Sequence, residues 1–169
     1  IGADSHTCTY GALGAFSTGM GSTDLAVTLA SGKNWFKIPE TVKIVLKGKP
    51  GKGTYSKDVI LYIIGKLGAD YCTYKAVEFS GDYIRNLSMD ARFTITNMAI
   101  EMGAKAGIIE PDIKTYNYLA GVGCKVKGKT RHENRSVRTG HGLKADKDAE
   151  YSEILEYDVS KVVPQLATP

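Results

Sequence analysis

No stretch of this sequence comes near the roughly 18 consecutive apolar residues that a membrane-crossing helix requires. Its best run, Val59–Ile64, is short and sits between Lys57 and Lys66. There is no charged leader followed by an apolar stretch and a small-residue cleavage site, so the expected location is the cytoplasm. Cysteine is scarce, and Cys8, Cys72 and Cys124 are odd in number and far apart. They make no disulfide framework, and no pair has the short spacing of a zinc knuckle or a redox dithiol. Cys72 and Cys124 are expected to be buried, inert thiols. The chain opens on Ile1-Gly2-Ala3-Asp4 without an initiator methionine and closes on Leu166-Ala167-Thr168-Pro169 without a cap, and both ends read as cut from something longer.

Extreme charge is missing as well. Lys and Arg number 22 against 18 Asp and Glu, a net charge of +4 over 169 residues, and 43% of the residues are hydrophobic. That is ordinary globular composition, which excludes disordered and fibrous classes. The length suits one domain, or one domain with portions of its neighbours.

Residues 1–21 are dense in glycine (Gly2, Gly11, Gly14, Gly19, Gly21), the mark of a tight loop that lets backbone approach something closely. Ser22 is expected to cap a short helix through Ser31, with Leu25, Val27, Leu29 and Ala30 on its apolar side and Gly32 ending it. Thr41–Lys47 alternates like a strand, and Gly48, Pro50, Gly51 and Gly53 make a turn. Ser56 is expected to cap a helix whose Val59, Ile60, Ile63, Ile64 and Leu67 share one side, ended by Gly68. Lys75–Phe79 reads as a strand with Val77 and Phe79 facing one way. A second helix is expected over Met89–Gly103, with Ser88 as N-cap and Asp90 in its first turn. Gly107–Glu110 reads as a strand stopped by Pro111, Ile113–Leu119 as a short helix, and Ile154–Val159 as an edge strand. Strands alternating with helices predict an α/β domain with at least partly parallel pairing.

Two clusters carry chemistry. In Asp4-Ser5-His6-Thr7-Cys8, an extended backbone would put Asp4, His6 and Cys8 on one face. A histidine beside a carboxylate is an acid–base pair, and the glycine-rich loop that follows fits a grip on a small polar ligand. The same residues also fit a capped surface turn. In the second expected helix, Asn97 and Glu101 lie one turn apart among Ile95, Met98, Ala99 and Met102. A glutamate there needs a partner or the solvent edge, because a bare buried carboxylate is costly.

Weaker signals point elsewhere. Gly51-Lys52-Gly53-Thr54 lacks the full phosphate-loop pattern, and Gly19-Met20-Gly21 has no convincing strand before it. Asp4, His6 and Cys8 could hold zinc only with a fourth ligand that has no local candidate. Residues 125–147 are basic, but tyrosines are not interleaved with the charges as a nucleic-acid stacking platform requires. A solvated excursion is the expectation, and a non-enzymatic basic binding module is the rival.

The run Ile1-Gly2-Ala3-Asp4-Ser5-His6-Thr7-Cys8-Thr9-Tyr10-Gly11-Ala12-Leu13-Gly14 closely resembles a segment of the aconitase family, in particular its isopropylmalate isomerase and homoaconitase branch. Gly19-Met20-Gly21-Ser22-Thr23-Asp24, Lys57-Asp58-Val59-Ile60-Leu61, Asn97-Met98-Ala99-Ile100-Glu101-Met102-Gly103-Ala104, Tyr157-Asp158-Val159-Ser160 and Val163-Pro164-Gln165 continue the likeness in order. Residues 121–148 carry the least of it.

The resemblance implies a three-layer α/β/α domain, incomplete at both ends. A glycine-rich active-site segment (1–31) would close a preceding domain. An α/β core (32–124), a basic excursion (125–147) and a closing strand with an extended segment (148–169) would follow. It implies that Asp4 orients a histidine, Ser5 binds a substrate carboxylate, and His6 bonds the substrate or a bound water. Asn97 would lie near a four-iron, four-sulfur cluster, and Glu101 would pair with an active-site histidine. The family's cluster cysteines, its carboxylate-binding arginines and its serine base have no match here. The cluster therefore belongs to a full-length parent, none is expected on this chain, and the chain alone is expected to be inactive. The expected activity of the parent is dehydration and rehydration of isopropylmalate, or alternatively of homocitrate. The expected partners are a small swivelling subunit, in a heterodimer or heterotetramer, and a small hydroxy-polycarboxylate, with no nucleic acid and no membrane.

Overall fold

The computed structural model of the protein describes residues 1–124 and 143–167. In β1 (Thr41–Lys47), Val42, Ile44 and Leu46 are fully buried and alternate with the less buried Thr41, Lys43, Val45 and Lys47. In α2 (Ser56–Leu67), Val59, Ile60 and Ile63 turn onto that same apolar face. β2 (Ala76–Ser80) follows, then the short α3 (Asp82–Asn86) and α4 (Met89–Asn97). A 3₁₀ turn, Met98–Met102, leads into β3 (Ala106–Ile109), and α5 (Ile113–Gly121) and β4 (Glu153–Asp158) come last. Ahead of all these lie a 3₁₀ helix, Ser5–Leu13, and α1 (Ser22–Ser31).

The four strands form one parallel sheet in the order β3-β2-β1-β4. Ile44 stands opposite Phe79 on one side and Leu155 on the other, and Phe79 opposite Ile109, so the apolar residues line one face. The β1-to-β2 and β2-to-β3 crossovers step the same way across the sheet, and right-handed crossing then puts α2 and α4 on the same face. Ile60, Ile63, Ile95 and Met102 close the core there, each worth about 1.5–3 kcal/mol of burial.

The opposite face is polar and half-open. Lys43 Nζ lies 2.9 Å from Glu78 Oε1, and the Tyr151 hydroxyl donates to Glu78 Oε2 at 2.7 Å. Partial burial works against the Lys43 charge, but hydrogen bonds with Glu78 and Tyr151 outweigh it and hold the ammonium above its usual range. This trio ties β1, β2 and the segment entering β4 together.

Arg92 of α4 is completely buried. Its guanidinium forks onto Asp112, the cap of α5, at 2.9 and 2.5 Å, and donates to the Arg85 carbonyl at 3.2 Å. A guanidinium enters a core only when a carboxylate and further acceptors meet it.

Several local expectations change. The segment after Asp4 is not extended, because the Asp4 carboxylate accepts the His6 N–H at 2.6 Å and its carbonyl accepts the Thr7 N–H at 3.1 Å, which starts a 3₁₀ helix. Cys8 is therefore buried while His6 is exposed, and the two do not share a face. The helix expected over 89–103 ends at Asn97 and tightens to 3₁₀, where the Met102 carbonyl accepts the Cys72 N–H at 2.8 Å. Ser22 and Ser56 are first helical residues and not caps, since Gly21 and Tyr55 hold those positions. The Tyr55 N–H is satisfied by Asp58 at 2.7 Å. None of the side chains of α1 is buried. Cys72 is buried, its thiol pushed up to about 11 by that burial. Cys124 is exposed, because α5 has already stopped at Gly121 and the chain turns outward through Gly123 at φ 83°.

Candidate active site

The candidate site sits off the β3 edge, where the 3₁₀ helix Ser5–Leu13 lies along α4. Three bonds fix that docking. Thr96 Oγ1 donates to the Thr9 carbonyl at 2.9 Å, Asn97 Nδ2 donates to Thr9 Oγ1 at 2.9 Å, and the Cys8 thiol donates to the Asn97 carbonyl at 3.3 Å. The approach needs glycine, because a Cβ on Gly11 would stand 1.6 Å from the Gly107 carbonyl oxygen. At its start the segment is pinned by a bridge between Gly2 and Gly19, with the Met20 N–H donating to the Gly2 carbonyl at 2.9 Å.

This docking carries His6 to Glu101. Nε2 of His6 lies 3.3 Å from Glu101 Oε1, while Nδ1 lies 3.2 Å from Ser5 Oγ and 3.7 Å from Asp4 Oδ1. With the proton on Nε2 directed at Glu101, Nδ1 accepts from the Ser5 hydroxyl. The His6 and Glu101 side chains are 44% and 51% exposed, so a small ligand can reach them. Asp4, Ser5, His6 and Glu101 thus come together. Asn97 is one turn before Glu101 but points inward, its amide spent on Thr9.

Beside the pair is a depression of about 370 Å³ lined by Ser5, Thr18, Gly19, Met20, Gly21, Ile100 and Lys105 among others. Lys105 was not singled out from the sequence, where it is a lone lysine before a strand. Its ammonium lies 4.9 Å from the Tyr74 ring centroid, and among the described residues no carboxylate pairs with it. A hydroxyl and an unpaired ammonium on one small depression suit a carboxylate.

The other motifs do not join the site. Gly51–Thr54 closes a turn through the Thr54 N–H and the Gly51 carbonyl at 3.2 Å. Residues 125–142 of the basic stretch lie outside the described residues. Just after them, Lys144 pairs with Glu110 at 3.7 Å. A four-iron cluster takes cysteine thiolates. Burial pushes the Cys8 and Cys72 thiols up, toward the protonated form, and Cys124 is at the surface. Among the described residues no group of three or more His, Cys, Asp or Glu could hold a metal ion. These residues do not fit the ligand set of such a cluster. No helix among them is long and apolar enough to cross a membrane.

The aconitase family (aconitate hydratase) matches residues 1–169, so the chain belongs to the aconitase family. It is 54% identical, over all 169 residues, to the 3-isopropylmalate dehydratase large subunit 1 of Pyrococcus furiosus, covering 37% of that protein. It is likewise 54% identical to the large subunit from Caldicellulosiruptor saccharolyticus, covering 36%, and 52% identical to large subunit 2 of Archaeoglobus fulgidus, covering 38%. The chain spans little more than a third of the length of these relatives.

Proposed function

We propose that the chain is the part of a hydro-lyase large subunit that presents Ser5, His6 and Glu101 to a hydroxy-polycarboxylate. The enzyme would interconvert 2-isopropylmalate and 3-isopropylmalate by removing and re-adding water, a reaction of leucine biosynthesis. The observation that carries this reading is the His6–Glu101 contact beside the Ser5 depression, in a chain whose relatives bear the dehydratase name. Those names favour isopropylmalate over homocitrate.

Dehydration takes a proton from carbon and a hydroxyl from the neighbouring carbon, and hydroxide leaves poorly unless it is protonated. Glu101 fixes the His6 ring through Nε2, and in the protonated ring the Nδ1 proton goes to the departing hydroxyl and is recovered on rehydration, which leaves the Ser5 hydroxyl free to donate to a carboxylate. Asp4 holds the turn that aims His6. Ser5 and Lys105 hold a carboxylate. Asn97 braces the helix that carries His6, and in the full-length subunit it would stand near the cluster. The four-iron cluster of the family and the base for the carbon-bound proton belong to polypeptide outside this chain, which alone is inactive. A small subunit is the partner of the full-length protein.

The test is the full-length subunit with its small partner, assayed on 2-isopropylmalate and on homocitrate. Conversion of 2-isopropylmalate to the 3-isomer is expected. Turnover of homocitrate alone would replace the substrate assignment, and turnover of neither would end it.

A further inference from the structure

Tyr74 is the one non-glycine among the described residues whose backbone lies in the left-handed region, at φ 62°. A bulky side chain keeps that conformation only where its surroundings leave no other. Here both flanks of Tyr74 are tied to the loop that enters β3. The Cys72 N–H donates to the Met102 carbonyl at 2.8 Å, and the Lys105 N–H donates to the Lys75 carbonyl at 2.8 Å. Gly103, left-handed itself at φ 79°, makes room for Thr73, whose Oγ1 would stand 2.8 Å from a Cβ added there. The two loops interlock, so Tyr74 cannot relax without parting them.

The strained residue presents its ring to Lys105. The Lys105 ammonium lies 4.9 Å from the ring centroid and the Lys37 ammonium 5.4 Å, both close enough for a cation–π contact. Of the two lysines, only Lys105 also lines the Ser5 depression. A ring face holds an ammonium in a way that a carboxylate cannot. It attracts the charge without neutralising it and leaves N–H donors for a ligand. An aspartate or glutamate in its place would compete with a bound carboxylate for the same ammonium.

We infer that Tyr74 is a positioning residue for the proposed reaction: its ring holds the Lys105 ammonium beside the Ser5 depression, charged and free to donate to a substrate carboxylate. The inference rests on the carboxylate grip by Ser5 and Lys105 proposed above.

The experiment is steady-state kinetics on 2-isopropylmalate with the full-length subunit and its small partner. The variants are Tyr74→Leu, Tyr74→Phe, Tyr74→Gly, Lys105→Ala, and Tyr74→Leu combined with Lys105→Ala. Loss of one exposed cation–π contact in Tyr74→Leu should raise KM about three- to fivefold with kcat nearly unchanged. Tyr74→Phe keeps the ring and should match the unaltered enzyme. Tyr74→Gly relieves the left-handed backbone and should still show the raised KM. In the Lys105→Ala background, Tyr74→Leu should change KM no further. An unaltered KM in Tyr74→Leu, as when a carboxylate elsewhere in the subunit holds Lys105, would overturn the inference. So would a normal KM in Tyr74→Gly, an equal loss in Tyr74→Phe, or single losses that multiply in the double variant. In all four cases the grip by Ser5 and Lys105 still stands. If 2-isopropylmalate is not turned over, or Lys105→Ala keeps the unaltered KM, the grip falls and this inference with it.

Discussion

The imidazole Nε2 of His6 stands 3.3 Å from the carboxylate of Glu101, 95 residues further along the chain. Neither residue makes that contact locally. It exists because Thr9, Cys8 and Gly11 dock one 3₁₀ helix onto α4 and β3, and because α4 tightens after Asn97. The packing that stabilises this edge of the sheet is the packing that assembles the site.

If Ser5 and Lys105 hold a carboxylate, Ser5→Ala and Lys105→Ala in the full-length assembly should raise KM by about tenfold or more each. kcat should fall less. Steady-state kinetics on 2-isopropylmalate checks this, and an unchanged KM in both variants would remove the depression from the binding site.

The Arg92–Asp112 pair predicts both a stability and a pH effect. Arg92→Met should lower unfolding free energy by about 3–5 kcal/mol, because it leaves Asp112 half-buried without its partner. Burial pushes the Asp112 carboxyl up, but the Arg92 hydrogen bonds and charge, with the Thr115 and Lys114 amides, pull it down further, so it lies below the usual 3.8. A carboxyl depressed in the folded state contributes fully above its unfolded value, and that contribution is lost as pH falls through the folded value. Urea unfolding at neutral pH and below about pH 4 should therefore show a shallower acid loss for Asp112→Asn than for the unaltered protein.

Two glycines should answer oppositely to alanine. Gly11→Ala sets a Cβ 1.6 Å from the Gly107 carbonyl oxygen and must push the 3₁₀ helix off β3. A loss of about 2 kcal/mol or more is expected, with activity falling as His6 moves from Glu101. Gly65 lies exposed in α2, and nothing is within 4 Å of an added Cβ. Gly65→Ala should gain about 0.5–1 kcal/mol. Thermal unfolding of the two variants checks both signs.

The sheet and its covering helices were legible because Val42, Ile44 and Leu46 keep period two while Val59, Ile60 and Ile63 keep the helical period. β2, β3 and β4 each shifted by about one residue from their expected spans. Whether Asp4-Ser5-His6 is extended or a capped turn was not legible, because alternation in a short polar run looks the same whether or not an aspartate folds back on the following amides. The apolar side expected for α1 is not buried in the described chain, with Leu25 half-buried and Val27 and Leu29 exposed, because periodicity cannot say where a covering surface lies. Arg92 passed unnoticed, since a core guanidinium is legible only once Asp112 is seen opposite it. Residue chemistry alone left Asp4–His6 and Asn97–Glu101 as separate clusters. Their meeting was implied by the family resemblance, and the structure adds that Asn97 spends its amide on Thr9.

The most direct test is kcat/KM on 2-isopropylmalate for the full-length assembly carrying Glu101→Gln, His6→Gln or both. Each single variant should fall about 10²–10⁴-fold with the fold intact by circular dichroism, and the double variant should fall little further, as for residues that act as one unit. Wild-type turnover in Glu101→Gln, or losses that multiply in the double variant, would contradict the pairing on which the site is built.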